Sequence, residues 1–392
     1  GYILGDAKIP EVLVGTVDGV FQTVANAMHL QITGGSASVR ATGVHGMRVA
    51  GAAARQMLLE AAASEWSVPV SKLSAKNGMI SDGQRSASYA SFAVAAGQLQ
   101  PPHTPKLKSA DQFTIMGTHR PRHDIPSKVD GTAMFGIDAE VEGMVYATVM
   151  AAPVFGSSVK SLNSDDANAM SGVVDVVNLD DAVAVVADSY WTAKKALATL
   201  KVEWQQTGAA MLDSDKIFSQ FQNDISSNVA AGKVNSDREE GDAAAAFKNA
   251  NRIVEREYRV PYLAHACMEP MNALALVADG KCEVWTGTQN PLGFRHEIAA
   301  ALQFDAENVT VNNFYMGGGF GRRATADAAI QAAKISQYVG QPVKLIWSRE
   351  EDIQHDHYRP AVVSRFRAAL NADGQPTAWE NYYVDKHEPA EA

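Results

Sequence analysis

MGGGFGRR, Met316–Arg323, combines three consecutive glycines, one aromatic ring, a fourth glycine and two arginines. Glycine accepts the left-handed backbone that other residues avoid, so this run can turn sharply. Upstream, VTVNNFYM at Val309–Met316 has the β-branched content of a strand. Downstream, Ala326, Ile330, Ala333 and Val339 recur at near-helical spacing, which predicts a helix over Ala324–Val339. Strand, glycine turn and helix start in succession aim free N–H groups and the positive end of a helix dipole at an anion. A plain tight turn before a helix would use the same glycines.

Outward from that stretch, composition narrows the function classes. A chain of 392 residues has room for two or three domains, and 46% hydrophobic residues suffice for packed cores. The net charge of −10 argues against nucleic acid as a partner and against bulk attraction to anionic membranes. No apolar run reaches membrane-spanning length, and the opening GYILGDAKIP does not read as a signal peptide. Cys267 and Cys282 are the only cysteines and form no CxxC pair, so this chain alone supplies no zinc or iron–sulfur site. One disulfide between them stays open.

In chain order, TGGSASVR at Thr33–Arg40 is a second small-residue loop, rich in hydroxyls and closed by an arginine. It has the donors to hold a phosphate, and equally the composition of a polar turn before a helix. Met47, Ala50, Ala54, Met57, Leu58 and Ala61 mark the apolar face of that helix. Asn77-Gly78 signals a hairpin, residues 97–109 a surface connection, and Pro121–Gly131 a linker into a new domain. From Met144, MVYATVM, VVDVVN, AVAVVA and LKVEW read as strands, with a helix carrying Trp191 and Leu197 between the last two. Residues 207–250 are polar and alanine-rich and read as a surface loop entering a helix. RIVEREYRV, ALALVADGKCEVW and PVKLIWS complete the strands, and no internal repeat is evident.

Other stretches group residue types capable of chemistry. HACMEP, His265–Pro270, groups a His, a Cys, a Met and a Glu, but it has no further ligands at metal-binding spacing and reads as a structural corner. His355, Asp356 and His357 follow an acidic run and read as a solvated charged face. The GxSxG and GxxxxGK[ST] motifs are absent. Gly319, Gly321 and Ala324 fit GxGxxA, the dinucleotide fingerprint, which makes a nicotinamide oxidoreductase the first rival enzyme. Only one strand–helix–strand unit surrounds it, and Phe320 would crowd a pyrophosphate.

Together with GTQNP at Gly287–Pro291, MGGGFGRR resembles the molybdenum-binding subunit of the xanthine oxidase family. Within that family the match is to isoquinoline 1-oxidoreductase β-subunits and the large subunits of membrane-linked aldehyde dehydrogenases. TGGSASVR, SKVDGTAMFGID, PVFGSSVKS, PYLAHACMEPMN, PVKLIWSREED and HYRP carry the resemblance through most of the chain. Gln289 precedes Phe320 by 31 positions, as in the family's paired motifs.

The resemblance implies an α+β fold: an α/β hammerhead domain at 126–207, flanked by portions of two molybdopterin-binding domains. Residues 1–125 would belong to the second of these and 208–392 to the first. It implies molybdopterin cytosine dinucleotide, with molybdenum held by the pterin dithiolene and not by side chains. Gln289 and Phe320 would be the catalytic contacts. Gly318, Gly319, Phe320, Gly321, Arg322 and Gln289 would contact the cofactor, with Arg322 facing the pterin or its phosphates. Gly35, Ser36, Ser38 and Arg40 would line a second cofactor loop. The implied reaction is oxidation of aldehydes or N-heterocycles with oxygen taken from water. Electrons would leave through [2Fe–2S] clusters on a small iron–sulfur subunit, with a cytochrome c subunit as a further partner. The family suggests the bacterial periplasm or the periplasmic face of the inner membrane, with the cytoplasm as the alternative.

Three departures qualify the match. The family's general-base glutamate lies in a Gly-Glu motif near the end of a longer chain, and no such motif occurs here. Ala324 stands where xanthine oxidases have an acidic residue, and no glycine-rich loop precedes Gly34. The expectation is therefore part of a larger subunit, completed by a missing remainder. The contrasting reading is a non-catalytic, cofactor-free module of the same fold.

Overall fold

The structure, a computed structural model, describes residues 33–34, 43–44, 46–206 and 213–386. They fall into two compact units that divide between Ala133 and Met134.

In the first unit, helix α1 (Met47–Trp66) is followed by three short antiparallel strands, β1 (Ser74–Lys76), β2 (Met79–Ser81) and β3 (Ser86–Ser88). Helix α2 (Tyr89–Ala96) and, later, helix α3 (Ile125–Asp130) complete it. Asn77 and Gly78 both adopt positive φ at the β1–β2 turn, the mirror-image geometry that matches strand twist. The core gathers Leu59, Ala61 and Ala62 of α1 with Ile80, Phe92 and Ala96. Trp66 meets Phe92 edge-on, with ring centroids 5.2 Å apart.

The second unit begins with β4 (Val145–Ala151), β5 (Ser158–Asn163), α4 (Asp165–Asn168), β6 (Val173–Asn178) and β7 (Ala182–Ala187). Helix α5 (Tyr190–Leu197), β8 (Lys201–Gln205), α6 (Ser214–Ala231), α7 (Ala243–Lys248) and β9 (Arg252–Val260) follow. Then come β10 (Asn272–Ala278), β11 (Lys281–Thr286), α8 (Pro291–Leu302) and β12 (Val309–Asn313). Last are α9 (Asp327–Val339), β13 (Val343–Ile346), α10 (Arg349–Gln354), β14 (Ala361–Leu370) and β15 (Pro376–Lys386).

Seven of these strands form one mixed sheet in the order β12-β11-β10-β13-β4-β7-β6. β11 pairs parallel with β12, and β13 pairs parallel with β4; the remaining pairs are antiparallel. Every residue of β7 is buried, which explains the unbroken apolar run AVAVVA: one face meets the main core, and the other meets α4 and α5 through Ala167, Ala193 and Ala196. Helix α9 buries Ala328, Ala329, Ala332, Ala333 and Ile335, and small side chains let it lie close on the sheet. Helix α8 adds Phe294, Ile298 and Leu302 to the same core.

A second sheet, β15-β14-β9, is fully antiparallel and is covered on one face by α6 through Phe221 and Ile225. Helix α6 falls within the stretch read from sequence as surface loop. It is mostly polar because only one narrow stripe is buried, and Asp213 caps it by accepting from the Lys216 N–H. Helix α9 starts at Asp327, three residues later than expected, because Arg322–Ala324 form a separate single turn. No helix among the described residues is long and apolar enough to cross a membrane.

One contact pins α10 to the end of β4. His355 Nε2 lies 3.0 Å from the Ala152 carbonyl oxygen. Its Nδ1 is 3.0 Å from Glu351 Oε1, an ion-pair distance at an angle unsuited to a hydrogen bond. That carboxylate also accepts from the Ala151 N–H at 2.8 Å. Burial opposes protonation of His355, but Glu351 and the Ala152 carbonyl outweigh it and raise the imidazole above its ordinary 6.5. A raised pKa means the folded chain holds the proton more tightly than the unfolded one. The stabilisation is complete below pH 6.5 and disappears as pH rises through the raised folded value. The thermal midpoint gap between wild type and His355→Gln should therefore shrink as pH climbs. A gap that stays constant across that range contradicts this reading.

Candidate cofactor site

Parallel pairing decides where the site forms. Thr286 at the end of β11 sits opposite Asn313 at the end of β12, so GTQNP and the glycine turn leave the sheet at one rim. The two loops are then tied together. Phe314 N–H donates to Thr286 O at 3.0 Å, and Thr288 N–H donates to Asn313 Oδ1 at 2.9 Å. Gln289 N–H donates to Arg323 O at 2.9 Å, and the Thr288 hydroxyl donates to the same oxygen at 3.0 Å. The Gln289 side chain, 8% exposed, accepts the Gly321 N–H through Oε1 at 2.9 Å. The sequence pair Gln289 and Gly321 thus converges directly.

The glycines serve two different needs. A Cβ on Gly317 would lie 2.4 Å from Glu269 Cβ, and one on Gly319 would lie 2.6 Å from Gln289 Oε1. Those two leave room for neighbours. Gly318 and Gly321 instead hold φ of 104° and 105°. Phe320 is also left-handed, at φ 54°, and its ring is 65% exposed. A bulky residue in that conformation is strained, and such strain gathers at ligand sites.

Arg322 and Arg323 do not point outward. They are 1% and 0% exposed. Arg322, expected to face the pterin or its phosphates, makes a two-pronged pair with Asp327, at 3.1 and 2.6 Å. Its Nε lies 2.9 Å from Asp356 Oδ1 without hydrogen-bond alignment, and its guanidinium lies 5.5 Å over the Trp347 ring. Burial opposes the charge on Arg322, but Asp327, Asp356 and Asp352 more than restore it. Arg323 donates to the carbonyls of Gly318 at 2.9 Å, Glu269 at 2.6 Å and Pro270 at 3.3 Å. The glycine turn is held from behind by two buried cations.

HACMEP supplies the opposing wall. Glu269 Oε2 accepts the Gly317 N–H at 2.6 Å, and Oε1 accepts from Ile137 N–H and Asn272 Nδ2, both at 2.9 Å. The Cys267 thiol is buried 3.5 Å from Gly319 O, and burial pushes its pKa up. Each of these groups has a structural partner. Among the described residues, no three His, Cys, Asp or Glu side chains converge as a metal-ligand set.

The solvated face read at His355–His357 holds for His357, which is exposed, and not for Asp356, Glu351 or Asp352. Asp356 is 3% exposed, and Glu351 and Asp352 are also buried. Asp356 accepts the His265 backbone N–H, and its Oδ1 lies 3.0 Å from His265 Nδ1. This His265–Asp356–Arg322–Asp327 chain joins residues 91 positions apart at its first link, which explains why sequence inspection did not pair them.

The test of fit is the donor set. The N–H groups of Gly318, Gly319 and Phe320 meet no acceptor among the described residues. Three consecutive free donors on a rigid turn, backed by two buried cations, suit an oxygen-rich anionic group such as a pterin phosphate or a metal-oxo ligand. The residues present therefore fit a molybdopterin cofactor. The fingerprint for a dinucleotide fits less well, because α9 does not open at Ala324. Gly35, Ser36, Ser38 and Arg40 lie outside the described residues.

The molybdopterin cofactor-binding domain family matches residues 221–389. The membrane-bound aldehyde dehydrogenase [pyrroloquinoline-quinone] of Gluconacetobacter polyoxogenes is 34% identical, over 90% of this chain and 47% of that protein. Isoquinoline 1-oxidoreductase subunit beta of Brevundimonas diminuta is 31% identical, over 83% of this chain and 47% of that protein. The aldehyde oxidoreductase of Desulfovibrio gigas shares the fold at a TM-score of 0.52 and 21% identity, covering 75% of this chain and 37% of that one. The chain spans about half the length of the curated relatives it matches. It belongs to the molybdenum-binding subunits of the xanthine oxidase family.

Removing the Asp356 charge takes away one of the two carboxylates paired with the buried Arg322. Asp356→Asn should lower unfolding free energy by about 3–5 kcal/mol, because Arg322 keeps its charge. Denaturant unfolding measures this, and a change below about 1 kcal/mol would show that Asp356 is not holding Arg322.

Proposed function

We propose that this chain is the cofactor-holding part of a molybdenum hydroxylase large subunit that oxidises aldehydes or aromatic N-heterocycles, with oxygen derived from water. The observation that carries the reading is the rim itself: Gln289 Oε1 bonded to Gly321 N–H, beside three unpartnered N–H donors at Gly318–Phe320. When bound, the molybdenum cofactor would supply the two-electron redox chemistry and the activated oxygen. The protein's part is binding, orientation and electrostatics. Gly318, Gly319 and Phe320 would donate to the cofactor's oxygens, and Gln289 would orient the turn that presents them. The exposed Phe320 ring would flank a flat, electron-poor substrate. Arg322 and Arg323 would act through the turn, adding positive potential from behind it without touching the ligand.

Finer features of the same reading follow the resemblance. The cofactor would be the cytosine dinucleotide form, spanning from the glycine turn toward the loop containing Gly35, Ser36, Ser38 and Arg40. Residues 126–207 would be the hammerhead between 1–125 and 208–392. Cys267 and Cys282 are both buried, which supports placing the [2Fe–2S] clusters on a separate small subunit. The remainder of the large subunit would bring the general-base glutamate, and a cytochrome c subunit would pass electrons onward. The periplasm, or the periplasmic face of the inner membrane, would be the compartment, with the cytoplasm as the alternative.

The test is molybdenum per folded chain in the purified complex, by elemental analysis. Gly321→Val should fold but lose molybdenum, because valine rejects φ near 105° and would lift the turn from Gln289. Gln289→Ala should retain metal with turnover about 10–100-fold lower, as for loss of one orienting hydrogen bond beside a metal. Wild-type molybdenum content in a folded Gly321→Val variant overturns the assignment of this turn.

A further inference from the structure

One polar group at the rim has no part in the reading so far. His265 Nδ1 is committed to the buried Asp356 carboxylate at 3.0 Å, and the His265 backbone N–H bonds the same carboxylate. Its other ring nitrogen, Nε2, has no hydrogen-bond partner among the described residues and is not among the sealed, unpaired polar atoms. That nitrogen faces the glycine turn: a Cβ placed on Gly321 would lie 3.7 Å from it. The side chain as a whole is 10% exposed. The second charged group at this lip is Arg359, whose Nη2 donates to Phe320 O at 3.3 Å.

The arrangement has a chemical direction. The Asp356 carboxylate offers only acceptor oxygens to the imidazole, and its Oδ1 also lies 2.9 Å from Arg322 Nε on the far side. Neutral His265 therefore carries its proton on Nδ1 and presents a lone pair at Nε2. The ring is fixed at two points, through its backbone and its Nδ1, so it cannot turn away. Here one nitrogen is fully anchored, and the other is left facing the space above Gly321.

We infer that His265 is a direct contact residue of the site, whose Nε2 accepts a hydrogen bond from an O–H or N–H of the ligand held against the Phe320–Gly321 turn, with Asp356 as its positioning residue. This rests on the molybdopterin reading of the turn. The donor belongs either to the pterin or to the substrate, and the two sources separate experimentally.

Asparagine and glutamine divide the imidazole's two functions. His265→Asn places an amide N–H near the Nδ1 position and keeps the Asp356 contact, but it has nothing at Nε2. His265→Gln reaches the Nε2 position. In the complex as purified, His265→Asn should keep the wild-type thermal midpoint. It should lose about tenfold in molybdenum retention if the donor is on the pterin, or raise KM about tenfold with kcat less affected if the donor is on the substrate. His265→Gln should recover part of that loss. A second readout does not depend on turnover. Diethyl pyrocarbonate should modify His265 at Nε2 in the cofactor-stripped complex, and bound cofactor or a saturating aldehyde or N-heterocycle should protect it. A molybdenum-loaded complex in which His265 is modified equally with and without ligand, and in which His265→Asn behaves as wild type, overturns this inference alone. A wild-type complex that binds no molybdenum removes both this inference and the reading beneath it.

Discussion

Two guanidinium groups with almost no access to water are the constraint on which the rim depends. A buried cation is tolerable only where acceptors surround it. Arg323 obtains them from the carbonyls of Gly318, Glu269 and Pro270, so the glycine turn is shaped around its side chain. Arg322 obtains them from Asp327 and Asp356, which ties the turn to the start of α9 and to the end of α10. The strained backbone at Gly318, Phe320 and Gly321 persists because these contacts over-determine it. The free N–H groups of the turn are then a by-product of the same arrangement. The Gly318 carbonyl accepts from the Arg323 side chain and the Gly319 carbonyl from the Arg322 N–H, while the N–H groups of Gly318, Gly319 and Phe320 meet no acceptor among the described residues.

Glu269 shows the same logic from the opposite wall. Its carboxylate accepts from Gly317, Ile137 and Asn272, which gathers three separate segments on one side chain. A motif that looks like a metal-ligand cluster in sequence is a bracket in three dimensions. Its Glu and Cys are turned toward backbone groups, its Met268 is exposed, and its His has one ring nitrogen toward the glycine turn.

Local patterns were legible because each depends on neighbours in sequence. β-branched, apolar runs marked β4 and β7, alternating runs marked β10 and β11, and Asn77-Gly78 marked a hairpin. The glycine run announced the turn, and the meeting of Gln289 with Gly321 followed from two consecutive strand ends. Helix α6 was missed because a helix packed along one edge needs only a few apolar residues among many polar ones. The destination of the charges was not legible at all. Arg322 read as facing the cofactor and His355–His357 as a wet surface, because the acceptors that bury Arg322 and Asp356 come partly from distant segments. The fold class and the family motifs survive such errors, but the His265–Asp356 contact could be seen only in space.

The order of strands in the large sheet has a consequence for biosynthesis. β4 has β7 on one side, but its other neighbour is β13, and Val145 N–H finds its acceptor at Pro342. Lys344, which donates to Ala139 O, lies 205 positions further along the chain. At about 5–20 residues per second, a ribosome needs roughly 10–40 s to cover that interval. Throughout it, the nascent chain carries an apolar strand with one bare edge, a ready template for wrong pairing. The central segment cannot reach its native sheet alone, so its early survival depends on whatever shields that edge until β13 emerges.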